Sequence, residues 1–482
     1  MSVTQLRYEK LAGELSGMIV DGVLNPGDRL PSVRRLAQER RVSISTVVQA
    51  MRQLEELSLI EARPQSGYFV RRQAVAHREP QLRSTPDLPM PVDISGRLVH
   101  VLQAGARPGV APLSAALPAN SLLPIAALHR LYAGVARRHP HLLESGSHVH
   151  MDHPALVRQL VRRSLVWGGP IDAEEFIVTN SCTEALSLCL RAVTRPGDTV
   201  AVESPAYYLM LQLLESLGLK ALEIPCDPRG GMSLEALELA TRQGGVAACL
   251  LVANGSNPLG SLMPDEKKRR LAALTAARGI PLIEDDIYGD LHHGNDRPWP
   301  VKAFDQAGNV MLCASFSKCL SPALRIGYVA AGGYRKAVAL QKTITSGGTN
   351  PITQVVLAEY LESGAFDRHL RGLRRAYRQQ VEAMQAAVAR YFPPATRIAQ
   401  PQAGYVLWVE LPENIDTTAL HAQALRDMLS YVPGELFSAS GMFRNCLRLN
   451  CGNPHTPEID EAVRRLGALF SSAAKTAQAG RG

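Results

Sequence analysis

Nowhere does this chain of 482 residues approach the ~20 consecutive apolar positions that a membrane helix needs. Its apolar runs are short, Val246 to Ala253 being typical, and such a run reads as a buried strand. The eight cysteines are scattered, with no Cys-x-x-Cys pair. That argues against a disulfide frame or a zinc site, and for reduced thiols in a cytoplasm. A secretory signal is missing too, because Arg7, Glu9 and Lys10 interrupt the first stretch. There is no large charge of one sign, the formal net charge being +8. The excess is uneven: residues 1–78 hold twelve Lys/Arg against eight Asp/Glu, so the other 404 residues are nearly neutral. A small basic head on a near-neutral body suits a polyanion-binding module. The hydrophobic content of 46% with 20% charged residues is that of a globular protein, and the length calls for two or three units.

In the head, Leu11, Leu15, Met18 and Ile19 are spaced for one face of a helix that Gly22 ends. Asn25-Pro26-Gly27-Asp28 is a turn, and a second short helix follows Ser32 with Val33, Leu36 and Ala37 inward. Ser43 stands at the N-cap of a third helix. There Val47, Ala50, Met51, Leu54 and Leu57 make an apolar face, leaving Ser45, Thr46, Gln49 and Arg52 outward. Short strands, Leu59 to Ala62 and Tyr68 to Val70, flank a turn at 63–67. Three helices and a β-turn-β wing make a winged helix-turn-helix, whose third helix enters the major groove.

The runs Gly-x-Leu-x-Pro-Gly-Asp-Arg-Leu-Pro-Ser at 22–32 and Ser-Gly-Tyr-Phe-Val at 66–70 resemble the GntR family of bacterial regulators. The resemblance implies double-stranded operator DNA as partner. Arg34 would grip a phosphate or base edge, and Ser43, Ser45, Thr46 and Gln49 would lie along the recognition helix. Gly67 would let the wing backbone approach the minor groove. Ile44 stands where family members often have an arginine, and an isoleucine can touch a thymine methyl instead.

Pro80, Pro86, Pro89 and Pro91 lie among polar residues without periodicity, as in a semi-stiff tether. The expected division is a head at 1–72, a linker at 73–91, a body at 92–472 and a tail at 473–482. In the body, short apolar strands alternate with helices from Phe176 to Ala331, the pattern of a mainly parallel α/β sheet. Chemistry belongs at the strand ends of such a fold. Ala314-Ser315-Phe316-Ser317-Lys318 with Arg325 has the makings of a pyridoxal 5'-phosphate (PLP) pocket. The lysine amine condenses with the cofactor aldehyde, while Ser315, Ser317 and Arg325 hold its phosphate. Burial beside other cations lowers the lysine's pKa so that it can attack.

Other strand ends supply the remaining parts. Ser181-Cys182-Thr183 opens a helix whose amides make a phosphate seat. Tyr207 offers a ring to stack on the cofactor, and Asn257 and Tyr288 can share its phenolic oxygen. Asp285 is the carboxylate for the pyridine nitrogen. The ordered set Tyr207, Asn257-Pro-x-Gly260, Asp285-x-x-Tyr288, Ser-x-Ser-Lys318, Arg325, Gly404-Tyr405-x-x-Trp408 and Leu447-Arg448-Leu449-Asn450 resembles the fold-type I aminotransferases, notably the aminoadipate/kynurenine branch. That implies a large sheet domain, a small α+β domain and a substrate carboxylate held by Arg448, with Arg444 as runner-up.

A GntR head on such a body resembles the MocR subgroup, which implies a cytoplasmic homodimer that senses an amino compound or B6 vitamer through PLP. The same residues allow a working aminotransferase with an ancillary head, or a plain DNA-binding dimer with a scaffold body. The family usually has a tyrosine and then a glycine before the large sheet, where this chain has His148-x-His150-x-Asp152-His153. The cross-subunit phosphate contact is therefore lost or replaced by a histidine. That run has metal donors but no second cluster at ligand spacing, so no metal is expected. His292-His293 reads as an exposed loop, Cys182, Cys313 and Cys319 as small packing residues, and Arg371, Arg374, Arg375 and Arg378 as a solvated helical face.

Overall fold

The computed structural model describes residues 7–20, 23–24, 27–56, 59–63, 67–70, 77–144, 146, 151–242 and 244–479. The chain divides into two compact units, Met1–Ala76 and His77–Gly482. In the first, the helices Arg7–Val20, Val33–Glu39 and Ile44–Glu56 precede two antiparallel strands, β1 (Ile60–Arg63) and β2 (Gly67–Val70). Leu11, Leu15, Leu36, Val47, Met51 and Leu54 form its core, closed by Ile60 and Val70. Ser32 Oγ accepts from the Arg35 amide (3.3 Å), and Ser43 Oγ from the Thr46 amide (3.1 Å). Each hydroxyl satisfies an amide that a helix start leaves open. This is a winged helix-turn-helix. Gly22, Leu57 and the wing turn at 64–66 lie outside the described residues.

The second unit is built on β3 (Met90–Pro91), β4 (Phe176–Thr179), β5 (Thr199–Ser204), β6 (Lys220–Asp227), β7 (Gly231–Met232), β8 (Val246–Leu251), β9 (Leu282–Asp285), β10 (Val310–Ser315) and β11 (Gly327–Ala330). Their order is β3-β6-β5-β8-β9-β10-β11-β4, with β7 beside β6. The run from β6 to β10 is parallel, and β11 lies antiparallel between β10 and β4. Both faces are buried. Along β10, Met311 and Cys313 enter one core while Leu312 and Ala314 enter the other. Helices on both faces explain why these strands read as continuous apolar runs. The carboxyl ends Thr179, Ser204, Asp285 and Ser315 lie along one rim, and the register sets Gly327 level with Ser315 and Thr179. A smaller antiparallel sheet, in the order β12-β13-β15-β14, comprises β12 (Arg397–Ile398), β13 (Val406–Glu410), β14 (Val432–Pro433) and β15 (Cys446–Asn450). Among the described residues, no helix is long and apolar enough to cross a membrane.

The segment read as a semi-stiff tether is, over its described part, 77–91, bound along the body. Arg83 pairs with Glu410 (2.8 Å) and donates to Asn445 (2.9 Å). Thr85 Oγ1 donates to the Glu223 carbonyl (2.8 Å), Glu79 pairs with Arg229, and β3 joins the sheet edge beside β6. Proline removes amides and forbids helix, but it leaves carbonyls and neighbouring side chains free to bond. The helix Pro457–Ala479 likewise continues through the described part of the expected tail.

Candidate functional site

One cavity of about 190 Å³ gathers Cys182, Thr183, Tyr207, Asn257, Asp285, Tyr288, Ser315, Ser317, Lys318 and Arg325 at the rim of the large sheet. The fold explains how residues so far apart in sequence converge. Asp285 ends β9 and Ser315 ends β10, so the turn after β10 delivers Ser317 and Lys318 beside Asp285. Ser181 caps the helix Cys182–Val193, its Oγ accepting from the Glu184 amide (3.0 Å), which points that helix's open amides at the cavity. Gly327 permits this approach: a Cβ there would lie 2.8 Å from the Cys182 nitrogen and 2.6 Å from the Ser181 carbonyl carbon.

Lys318 Nζ donates to the Ala116 carbonyl (2.7 Å). Burial, then Arg448, brings its pKa down to about 8, against the pull of Asp285. Asp285 Oδ1 accepts from Cys182 Sγ (3.2 Å) and the Ile287 amide (3.0 Å). Those bonds engage Oδ1 and leave Oδ2 without a hydrogen bond among the described residues. Burial pushes Asp285 up to about 6, and raises the Tyr288 phenol while the Asn257 amide works the other way. Arg325 adopts a left-handed backbone (φ 50°) and is exposed, and its guanidinium has no hydrogen-bond partner among the described residues. Arg448, on β15, is 0% exposed. It donates through Nη2 to the Ser114 carbonyl, its Nε and Nη1 have no partner among the described residues, and its guanidinium lies against the Tyr208 and Phe437 rings. Arg444 is exposed and paired with Asp416, whereas the Arg448 charge is near enough to Lys318 to depress its pKa.

PLP fits this donor set. Hydroxyls, helix amides and Arg325 stand together for a dianionic phosphate, Asp285 has a free oxygen for a protonated ring nitrogen, and Asn257 Oδ1 is a buried polar atom without a partner. The Ser114 and Ala116 carbonyls went unforeseen. Tyr405 Oη also donates to the Ala116 carbonyl (3.1 Å).

Other expectations change on inspection. His292 is 2% exposed, with Nδ1 on the Gly294 carbonyl (2.9 Å). The His293 ring lies between the carbonyls of Pro401 (3.1 Å) and Gly404 (2.8 Å). Burial brings both imidazoles down to about 4. Carbonyls of another loop flank the His293 ring, and His292 is buried against the carbonyl of its own turn, so the pair is not an exposed loop. The arginine face is divided: Arg371 and Arg375 are exposed, while Arg374 donates to the Asp290 carbonyl (2.7 Å) and Arg378 to that of His293 (3.2 Å). Asp152 is half-buried and accepts from the Val178 amide (3.1 Å). His148 and His150 lie outside the described residues, among which no group of three or more His, Cys, Asp or Glu could hold a metal. All eight cysteines are buried and free.

In the head, Arg34, Ser43, Ser45 and Gln49 are exposed and Thr46 half-buried. Ser43 Oγ also bonds the hydroxyls of Ser45 (2.7 Å) and Thr46 (2.8 Å), so these three polar groups cluster at the start of the third helix. Ile44 beside them is 54% exposed. Gly67 (φ +99°) is exposed at the wing, in a conformation that favours glycine.

Residues 149–466 match the family described as Aminotransferase class I and II, and residues 7–70 match Bacterial regulatory proteins, gntR family. The chain is 38% identical over 466 residues to the HTH-type transcriptional regulator YjiR of Escherichia coli (strain K12), covering 96% of this chain and 98% of that one. It is 37% identical to YdcR of the same organism, covering 96% and 99%. Among solved structures it resembles LysN, an alpha-aminoadipate aminotransferase of Thermus thermophilus complexed with N-(5'-phosphopyridoxyl)-L-leucine (TM-score 0.71, 28% identity, 79% of this chain and 95% of that one).

Proposed function

We propose that this chain, which belongs to the aminotransferase class I and II family and carries a gntR-family head, is a MocR-type transcriptional regulator. On this reading it binds PLP at Lys318 and answers an amino compound or B6 vitamer by changing its hold on operator DNA. It acts as a homodimer in the cytoplasm, where operators are.

Bound PLP supplies an aldehyde that condenses reversibly with primary amines, on an electron-withdrawing ring. The protein's residues do the rest. Lys318, held near pKa 8, is partly neutral at ordinary pH and can take or release a proton at Nζ. Thr183, Ser315, Ser317 and Arg325, which line the cavity together, would hold the cofactor's anionic phosphate, and the Asp285 carboxylate would pair with its ring nitrogen. Arg448 orients a ligand carboxylate through Nε and Nη1, which nothing else satisfies.

The observation that carries the regulatory reading is a short route out of the cavity. Arg448 lies on β15, and Glu410 of the paired strand, together with Asn445 just before β15, holds Arg83. Arg83 belongs to the segment that leads back along the chain to the head. Movement of the small sheet when Arg448 gains a ligand would therefore pull on that segment. An effector shifts the equilibrium only by its differential affinity for the two states.

The test measures operator affinity by fluorescence anisotropy, with and without a saturating amine, in wild type and Arg83→Ala. Wild type should change affinity about tenfold, in the usual range of allosteric coupling. Arg83→Ala should bind the operator and take up PLP normally, yet lose the response. Wild type whose absorbance answers the amine while its operator affinity stays constant would overturn the reading. Turnover as the main role is not favoured, since the relatives that match nearly the whole chain are named regulators.

A further inference from the structure

We infer that the effector is an α-amino acid with a single carboxylate and an uncharged, mainly apolar side chain, which rests on the reading above that the cavity takes an amine beside PLP. The inference comes from assigning every charge that the described residues of this chain bring to the site. Among the described residues, the charged groups lining the cavity are Lys318, Arg325 and Asp285, with Arg448 buried alongside. Arg325 lies with the hydroxyls that suit a phosphate, Asp285 is placed for a ring nitrogen, and Lys318 for an aldehyde. One cation is left over. Arg448 has two unpartnered donors and no acidic neighbour bonded to it. A single carboxylate supplies the acceptors and the opposite charge that it lacks.

The remaining wall is uncharged: Leu117, Leu186, Leu209, Leu213, Val252 and Ile287. The loop that covers the site strengthens the point. It sets the Ser114 carbonyl on Arg448 and the Ala116 carbonyl on Lys318, and it puts Leu117 into the cavity. From Pro108 to Leu128 there is no Asp, Glu, Lys, Arg or His. Among the described residues, a second carboxylate on the ligand would meet leucines and no further cation lining the cavity. A second ammonium would find only Asp285, already engaged. An unpaired charge in such surroundings is strongly disfavoured. An amine without any carboxylate would leave Arg448 unsatisfied, and a site built to bond a ligand group discriminates steeply against ligands that lack it.

The full chain, loaded with PLP, is titrated with leucine, methionine, glutamate, lysine and isoamylamine while the cofactor's absorbance is followed. Leucine and methionine should half-saturate at concentrations at least tenfold below those of glutamate, lysine and isoamylamine. Leu117 is 49% exposed, so Leu117→Arg is tolerated, and it should improve glutamate relative to leucine at least tenfold. Glutamate or lysine saturating at or below the leucine concentration would overturn the inference while leaving the PLP reading intact. So would an unchanged glutamate-to-leucine ratio in Leu117→Arg. If no amine alters the absorbance at all, the PLP-sensor reading fails, and this inference with it.

Discussion

Replacing Arg448 with methionine should stabilise the effector-free protein while removing its response. Arg448 is wholly buried, yet among the described residues its side chain makes one hydrogen bond, to the Ser114 carbonyl, and Nε and Nη1 are unmet. Each unmet buried donor costs about 1–3 kcal/mol, and a charge-assisted bond to a carbonyl contributes about 1.5–3. The rings of Tyr208 (5.5 Å) and Phe437 (5.7 Å) offset part of the desolvation, at about 1 kcal/mol each. The charge itself carries a further burial penalty of several kcal/mol. Methionine keeps the apolar contacts, adapts to the space and buries no charge. Arg448→Met should therefore gain about 1–3 kcal/mol, within the range seen when buried ions give way to apolar side chains. For a body of ~400 residues the unfolding entropy makes 1 kcal/mol worth about 1 °C, so Tm should rise by about 1–3 °C. Calorimetry of PLP-loaded protein, with and without leucine, reads both effects. Wild type should gain about 2.7 kcal/mol at a hundred times Kd, and the variant nothing. An effector-free variant that melts below wild type would refute the argument, because Arg448 would then be a satisfied structural residue.

Gly327→Ala would drive a Cβ to within 2.8 Å of the Cys182 nitrogen and the Ala314 carbonyl oxygen, both main-chain atoms. PLP affinity should fall at least tenfold, read as colour lost on dialysis; unchanged retention would contradict the placing of the phosphate at this helix start. Lys318 is pushed down from 10.5 to about 8, so between those values the unfolded chain binds more protons than the folded one. The stability of the cofactor-free protein should therefore rise with pH across that window, by at most about 3 kcal/mol. Lys318→Met should be the more stable near pH 7 and lose this component of the rise, which urea midpoints at the two ends of the window would show. Arg34→Ala should weaken operator binding across sequences and reduce the log–log salt slope by about one, leaving the PLP absorbance untouched. Loss of colour in that variant would show that the two units are not independent.

The lysine, the aspartate and the asparagine of the cavity were legible because each follows a strand that its apolar run betrays, and parallel sheets deliver strand ends to one rim. The head was legible because Ser32 and Ser43 mark helix starts and a 3.6-residue period marks the buried faces. Residue types stop being informative where the partner is main chain. Every residue has a carbonyl, so nothing in Ser114 or Ala116 announces that theirs are the acceptors for Arg448 and Lys318. The same blindness misplaced His293, whose ring rests between two carbonyls of a loop more than a hundred residues away. It also hid the anchoring of 77–91, since prolines there read as punctuation while Arg83 and Thr85 made the bonds. These main-chain partners determine what the site lacks. Lys318 has a carbonyl and can wait neutral, whereas Arg448 has one carbonyl for a charge that needs more. The group a ligand must bring is thus defined by the bonds the backbone leaves unmade, which become visible only once the loop at 112–118 is placed over the cations.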